Sequence, residues 1–359
     1  MSKGGYSMLI HIEAIESFSN QCFMTLGMPE HEAEIITEAM LEADLREIHS
    51  HGFMRLPIYV ERIQKGLIQK EASITYETDT NTLALIDGGF SAGQVAAYEA
   101  MKKAIEKAEL SGLGLVVVKN SNHFGISAYY SLMAAEKNMI GIVMSNVAPL
   151  MPAIGGAEKV IGNNPLSIAA PTRTDYPLVL DMAMSNTAFG KILYAKEKKE
   201  KIPEGWGVDA KGLPTTDPEE VLNGGFLSPV GGPKGFGLAL MAEVLTGILS
   251  GGPFSKMIPS MYDVTQKQSI SHFMLAIDIK QLLPLDIYYE NVNQLVSYMK
   301  NSKLAEGTKE IFLPGEIEFL KEKKNKEQGI HMEEETFESL NSLAKELGIN
   351  RLESSNVSL

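Results

Sequence analysis

Gly114-Leu115-Val116-Val117-Val118-Lys119-Asn120-Ser121-Asn122-His123-Phe124-Gly125 changes character halfway. Its first five residues form a continuous apolar run, rich in β-branched residues, which reads as a buried strand. The remainder is polar. Polar residues gathered just beyond a buried strand are where α/β proteins place their sites. His123 is therefore a candidate site residue, although a histidine satisfied in the core fits the same local pattern. Helical patterns lie on either side, over 92–110 and 127–137. A further buried strand follows at 140–145. Strand and helix alternate, which sets the class as α/β.

The pattern extends outward from this centre. Upstream are strands at 72–77 and 82–87. Before them come two amphipathic helices at 9–27 and 30–46, split by Gly27-Met28-Pro29, and a third ending near 64. Residues 1–70 thus read as a helical N-terminal unit that packs with a C-terminal segment, 300–359. Residues 71–299 form the α/β part. Downstream are Gly162-Asn163-Asn164-Pro165, strands at 166–170 and 178–181, and Asp181-Met182-Ala183-Met184-Ser185-Asn186. The charge run 196–201 reads as a solvated helix end or loop. Glycine and proline crowd 203–232, so 196–232 reads as a surface excursion with the character of a lid. Gly231-Gly232-Pro233-Lys234-Gly235-Phe236-Gly237 then opens an apolar helix over 236–249, too short to span a membrane and read as buried. A glycine-rich turn at a helix start offers N–H groups to a phosphate, and Lys234 adds charge; a plain helix-start loop fits equally. The tail shows a strand at 272–277 and a helix at 285–300. Leu313-Pro314-Gly315-Glu316 precedes a charged helix, and a last helix covers 333–347. Residues from Ser354 onward are expected to fray.

A second cluster of polar chemistry lies in the helical unit: Asp44-Leu45-Arg46-Glu47-Ile48-His49-Ser50-His51-Gly52-Phe53-Met54-Arg55. The helix pattern breaks here and resumes at Leu56. Ser50-His51-Gly52 reads as a turn, with Gly52 free to take a positive φ. His51 can move a proton near neutral pH. Arg55, about one helical turn on, can clamp a carboxylate with its planar fork. Cap or surface roles for His49 and His51 fit the local sequence as well.

Composition narrows the class. Of 359 residues, 44% are hydrophobic and 21% charged, which is ordinary for a globular protein. The net charge of −13 argues against nucleic acid or an anionic membrane as partner. One cysteine, Cys22, leaves no internal disulfide and no thiolate zinc site. Residues 1–20 hold Glu13 and Glu16 and form no signal-peptide core, so a cytoplasmic setting is expected. No Gly-x-Gly-x-x-Gly follows a strand, which argues against an ordinary Rossmann fingerprint.

Seven motifs occur in order: Asp-Leu-Arg-x-Ile-His-Ser-His-Gly at 44–52, Ser-Asn-His-Phe-Gly-Ile at 121–126, Gly-Asn-Asn-Pro at 162–165, Leu-Asp-Met-Ala at 180–183, Ile-Pro-Glu-Gly-Trp-Gly-Val-Asp at 202–209, Gly-Gly-Pro-Lys-Gly-Phe-Gly at 231–237 and Leu-Pro-Gly-Glu at 313–316. Together they resemble the malate/L-lactate dehydrogenase family, which is unrelated to the Rossmann-type enzymes. The likeness runs from about 10 to 345. It implies a mixed-sheet α/β (α+β) fold with a non-Rossmann cofactor domain, a homodimer, a cytoplasmic location, and hydride transfer between a 2-hydroxy acid and its 2-oxo acid with NAD or NADP. It places Ser50 and Arg55 at the substrate. His51 and His123 stand as acid/base groups, with His51 preferred. Cofactor contacts would fall on Asp181, Met182, Ala183, Ser185, Lys234, Gly235, Gly315, Glu316 and Ile317, with no metal. Family members with other substrates include ureidoglycolate dehydrogenase, diketogulonate reductase, sulfolactate dehydrogenase and cyclic imino-acid reductases. The sequence departs from the family at Glu47, where glycine is usual, and at Ser269-Ile270-Ser271-His272, which replaces a Gly-containing strand start. Glu47 would raise a neighbouring imidazole pKa or point to solvent.

Two other classes compete. A metal-dependent hydrolase would use Asp44, His49 and His51 as ligands, but no third distant cluster supports it. A non-catalytic binding protein would need the cleft without a proton donor.

Overall fold

The computed structural model describes residues 7–354. Its centre is a seven-stranded mixed sheet built from β2 (Thr75–Asp79), β3 (Leu83–Asp87), β4 (Leu113–Ser121), β5 (Met139–Ser145), β6 (Leu166–Ala170), β7 (Leu178–Met182) and β11 (Ile270–Asp278). The order is β2-β3-β4-β11-β5-β6-β7, with β3 and β4 parallel and every other pair antiparallel. So β11, late in sequence, inserts between β4 and β5. It brings His272 opposite both Val118 and Ser145. Two helices, α4 (Gly93–Ser111) and α5 (Ser127–Ala135), pack on the sheet. Their contact faces are small: Ala96, Ala97, Ala100, Ala104 and Ala134 are buried against Val116, Val118 and Val143. Small side chains let helix and sheet close up, and burial of this apolar surface holds them together.

A second core joins the two ends of the chain. It collects Ile15, Phe18, Cys22 and Phe23 of α1 (Ile12–Thr25), Ile36 and Met40 of α2 (Glu30–Leu45), Tyr59 and Ile63 of α3 (Leu56–Gln64), and Leu340 and Leu343 of α11 (Glu334–Leu347). The stretch 8–10, part of which was expected in the first helix, is instead in a strand, β1 (Ser7–Ile10). It pairs antiparallel with β12 (Ile330–Glu333). Here pairing with a segment over 300 residues away decides the conformation, not local periodicity. Residues 355–359, within the segment expected to fray, lie outside the described residues.

Two further expectations are corrected. The Gly/Pro-rich segment is not a bare excursion. After α6 (Phe189–Lys198) it forms a small antiparallel sheet of β8 (Gly207–Val208), β9 (Pro214–Thr215) and β10 (Phe226–Leu227), with α7 (Pro218–Leu222). Ile192, Ile202, Val221 and Leu227 give it a core shared with Ala239 of α8 (Pro233–Glu243). The apolar helix is not buried as a whole. It continues past α8 into a π-helical turn, Val244–Ile248, and Leu238, Met241, Ile248 and Leu249 are exposed. Length and hydrophobicity alone do not distinguish a buried helix from one with an uncovered apolar face. The charged tail forms α9 (Leu285–Lys300) and α10 (Glu316–Gln328).

Candidate active site

The His-Ser-His turn is built on the end of α2. The N–H of Ile48 donates to Ala43 O at 2.8 Å and that of Glu47 to Asp44 O at 3.0 Å, the paired bonds of a Schellman stop. Glu47 therefore sits left-handed, at φ 57°. Two single 3₁₀ turns follow, His49–His51 and Phe53–Arg55. The buried Asp44 carboxylate braces them: Oδ1 meets His49 Nδ1 at 2.7 Å, and Oδ2 accepts from the Phe53 N–H at 2.8 Å. Gly52 does not take a positive φ; it lies at φ −86°, ψ −150°. It is needed for room, since a Cβ there would fall 2.2 Å from the Asp44 carboxylate.

This brace aims His51 and Arg55 at His123. The two imidazole rings stack, with centroids 5.5 Å apart and planes inclined by 26°. His51 Nδ1 lies 2.8 Å from Ser50 Oγ, and Arg55 Nε donates to Ser50 O at 2.6 Å. Tyr59 Oη is 2.7 Å from His123 Nδ1, and the Gly125 N–H also points to that nitrogen at 3.4 Å. Nδ1 of His123 thus serves as the acceptor, which puts the neutral ring's proton on Nε2. Burial holds His51 down to about 4, and the Arg55 charge adds to this. Burial holds His123 well below its ordinary value, helped by His51, Arg55 and His272. In the free protein both rings are neutral at pH 7. Tyr59 was not among the sequence candidates. Its position four residues beyond Arg55, on the same helical face, is the signal that points to it.

Behind this pair stands His272, fully buried, with Nδ1 3.0 Å from Ser145 Oγ and Nε2 2.8 Å from Ser121 Oγ. Phe124, next to His123, stacks on His272 at 4.5 Å and on Tyr130 at 5.0 Å. The sequence departure at 269–272 therefore falls behind the His123 loop. Ser269 there is left-handed, at φ 52°. Both departures from the family thus include a non-glycine residue at positive φ. Glu47 itself is exposed and pairs with Lys321 at 3.1 Å. Its charge reaches His49, whose pKa is raised mainly by the Asp44 hydrogen bond.

The three expected cofactor segments meet along β7. Val179 N–H donates to Pro314 O at 3.0 Å, and Val230 N–H donates to Met184 O at 2.8 Å. Ser185 bridges to Pro229. Asp181 Oδ2 accepts from the Ala128 N–H at 3.0 Å, so it caps α5, at the far end of the loop that carries His123. Desolvation raises the pKa of this carboxyl, against the Ala128 bond and the Arg46 charge, although the residue is exposed. Gly231 and Gly232 are both at positive φ before α8, and Lys234 is exposed at the helix start. Gly315 caps α10 at φ 86°, where a Cβ would lie 2.8 Å from Val179 Cβ. Glu316 is spoken for: Lys300 and the Leu313 N–H hold its carboxylate. Met182 and Ala183 are partly exposed, Ile317 is exposed, Gly235 is buried, and the buried Ser185 hydroxyl donates to Thr187 O at 2.8 Å.

The Asp44, His49 and His51 set is used for bracing and stacking. Among the described residues no three His, Cys, Asp or Glu side chains are grouped to hold a metal ion. No helix of the described residues is long and apolar enough to cross a membrane.

A stacked imidazole pair beside an arginine can move a proton at a substrate held by its carboxylate. The chain belongs to the malate/L-lactate dehydrogenase family, whose model matches residues 10–341. It is 40% identical over 343 residues to malate dehydrogenase from Pyrococcus horikoshii, with 94% of each chain covered. It is 39% identical over 342 residues to malate/(S)-sulfolactate dehydrogenase from Methanothermus fervidus, covering 95% of this chain and 99% of that one. The solved structure of the Pyrococcus horikoshii malate dehydrogenase superposes with a TM-score of 0.90 at 37% identity, over 98% of this chain and 100% of that one. The chain is a hydroxy-acid dehydrogenase, and dehydrogenases of this family depend on NAD or NADP. This displaces the hydrolase and binding-protein readings.

Proposed function

We propose that the protein interconverts a malate-type 2-hydroxy acid and its 2-oxo acid, with malate first and sulfolactate second as substrate, and with NAD as coenzyme ahead of NADP. The observation that carries this reading is the stacked His51–His123 pair beside Arg55. The malate and sulfolactate activities in the names of its relatives support the substrate class. When bound, the nicotinamide supplies the hydride chemistry. Arg55 holds the substrate carboxylate, and so fixes the reacting carbon. His51 gives a proton to the substrate's 2-oxygen in reduction and takes it back in oxidation. His123, its tautomer fixed by Tyr59 and Gly125, donates through Nε2–H to that oxygen, and Ser50 orients His51. A carboxylate on Arg55 offsets the charge that lowers His51, and so eases its protonation.

Coenzyme contacts are proposed for Asp181, Met182, Ala183, Ser185, Lys234, Gly235, Gly315, Glu316 and Ile317. The glycine turn before α8, with Lys234, suits a diphosphate. Glu316 contributes through its backbone, because its carboxylate is engaged. A homodimer would cover the exposed apolar face of α8 and Ile248, and a cytoplasmic setting goes with it. The test is NADH and NADPH oxidation, followed by absorbance, with oxaloacetate, pyruvate, 3-sulfopyruvate and a cyclic imino acid. Rapid turnover with oxaloacetate is expected; turnover with the imine alone, or with none, overturns the proposal.

A further inference from the structure

We infer that Tyr262 is a substrate-binding residue whose hydroxyl donates to the carboxylate held by Arg55, so that the loop 258–268 completes the acid pocket. The inference rests on the function proposed above.

Arg55 shows how its donors are spent. Nε is used on Ser50 O. Nη1 donates to Tyr262 Oη, with Met261 Sδ at 3.9 Å as a weaker neighbour. Nη2 has no hydrogen bond to another described residue. Tyr262 Oη therefore accepts from the guanidinium, and its own O–H proton is left to donate outward. The guanidinium also sits over the Tyr262 ring, with Cζ 5.7 Å from its centroid. Ring and hydroxyl are not buried under the loop, since the side chain is 61% exposed. An anion placed on the Nη1–Nη2 end of Arg55 would thus meet a third, phenolic donor.

The loop is held in place for this task. Arg62 of α3, 1% exposed, sends Nη1 to the carbonyls of Met261 at 3.0 Å and Asp263 at 2.9 Å, and Nη2 to Gln266 O at 3.3 Å. These three bonds pair both Nη groups of a buried guanidinium, while its Nε finds no partner, so the loop and α3 hold each other. Asp263 stiffens the turn by accepting from the Thr265 N–H at 3.0 Å and from Gln266 Nε2 at 2.6 Å. One short stretch of chain, 55–62, therefore carries the arginine, the tyrosine that orients His123, and the strap for the loop bearing Tyr262.

Tyr262→Phe keeps the ring over Arg55 and removes only the donor. Hydrogen bonds to charged groups are strong enough that KM for oxaloacetate should rise by about 10- to 100-fold. Uniform binding is lost, so kcat should change less than about threefold. NADH affinity and melting temperature should stay at their wild-type values. In an Arg55→Lys background the effect on KM should shrink, because the carboxylate is no longer held at the same point. A wild-type KM in Tyr262→Phe overturns the inference and leaves the dehydrogenase reading intact. A KM rise matched by loss of NADH affinity and melting temperature also overturns it, since the loop would then be structural. If wild-type enzyme reduces no 2-oxo acid, the proposed function fails and the inference falls with it.

Discussion

The imidazole rings of His51 and His123 lie stacked with centroids 5.5 Å apart, and one phenol, Tyr59, holds the outer nitrogen of the pair. Two cations at that spacing repel, so the pair carries at most one positive charge. Burial already holds His51 at about 4 in the free protein. Oxidation needs the neutral base. Its kcat/KM should therefore be flat from about pH 5 upward with respect to this group, and fall as pH drops through about 4. Reduction needs the protonated form, so its kcat/KM should fall as pH rises above that value. Bound anion opposes the Arg55 effect, which moves the break in kcat to higher pH. Profiles of both directions check this.

Tyr59→Phe removes the donor that fixes His123 but keeps the ring. Turnover should drop by about tenfold, a fraction of what an acid/base group supplies. A change in KM alone would mean that Tyr59 serves binding and not the imidazole.

His272 contributes to acid stability alongside the buried His51 and His123. Burial holds its pKa at about 3, while the unfolded ring titrates near its ordinary value. The unfolded chain therefore binds more protons between about pH 6.5 and 3. Stability should fall on acidification through that window, by about 1.4 kcal/mol per pH unit for such a histidine. Urea midpoints from pH 7 to 4 measure the slope, and His272→Gln should reduce it by about that amount, leaving the share of His51 and His123.

Glu47 is an exposed non-glycine residue at a left-handed helix stop. Glu47→Gly should stabilise the fold by about 1 kcal/mol, since relief of the left-handed strain exceeds the loss of an exposed ion pair with Lys321. Glu243 is the opposite case. It is buried, and accepts from Asn146 Nδ2, Asn164 Nδ2 and the Ser255 N–H. Glu243→Gln places an amide donor among those donors and should cost about 2–3 kcal/mol in a urea titration.

The strands of the central sheet, its two covering helices and the histidine turn were legible because each carries a strong local pattern. Asp44 was visible, but its work was not: bracing His49 and Phe53 depends on how two 3₁₀ turns fold back. Gly52 looked like a left-handed turn residue, yet it answers to space. The strand at Ser7–Ile10 depends on Ile330–Glu333, and Tyr262 reaches Arg55 across 207 positions. No window along the chain contains either relationship. The uncovered face of α8 was misread for a related reason, because hydrophobicity does not say what lies opposite.

The most direct measurement is the turnover of His51→Ala with NADH and oxaloacetate, beside its NADH affinity. The account predicts a kcat lower by about 10²–10⁴-fold with NADH affinity unchanged. Wild-type turnover in that variant, with His123→Ala inactive, would contradict it and pass the proton to His123.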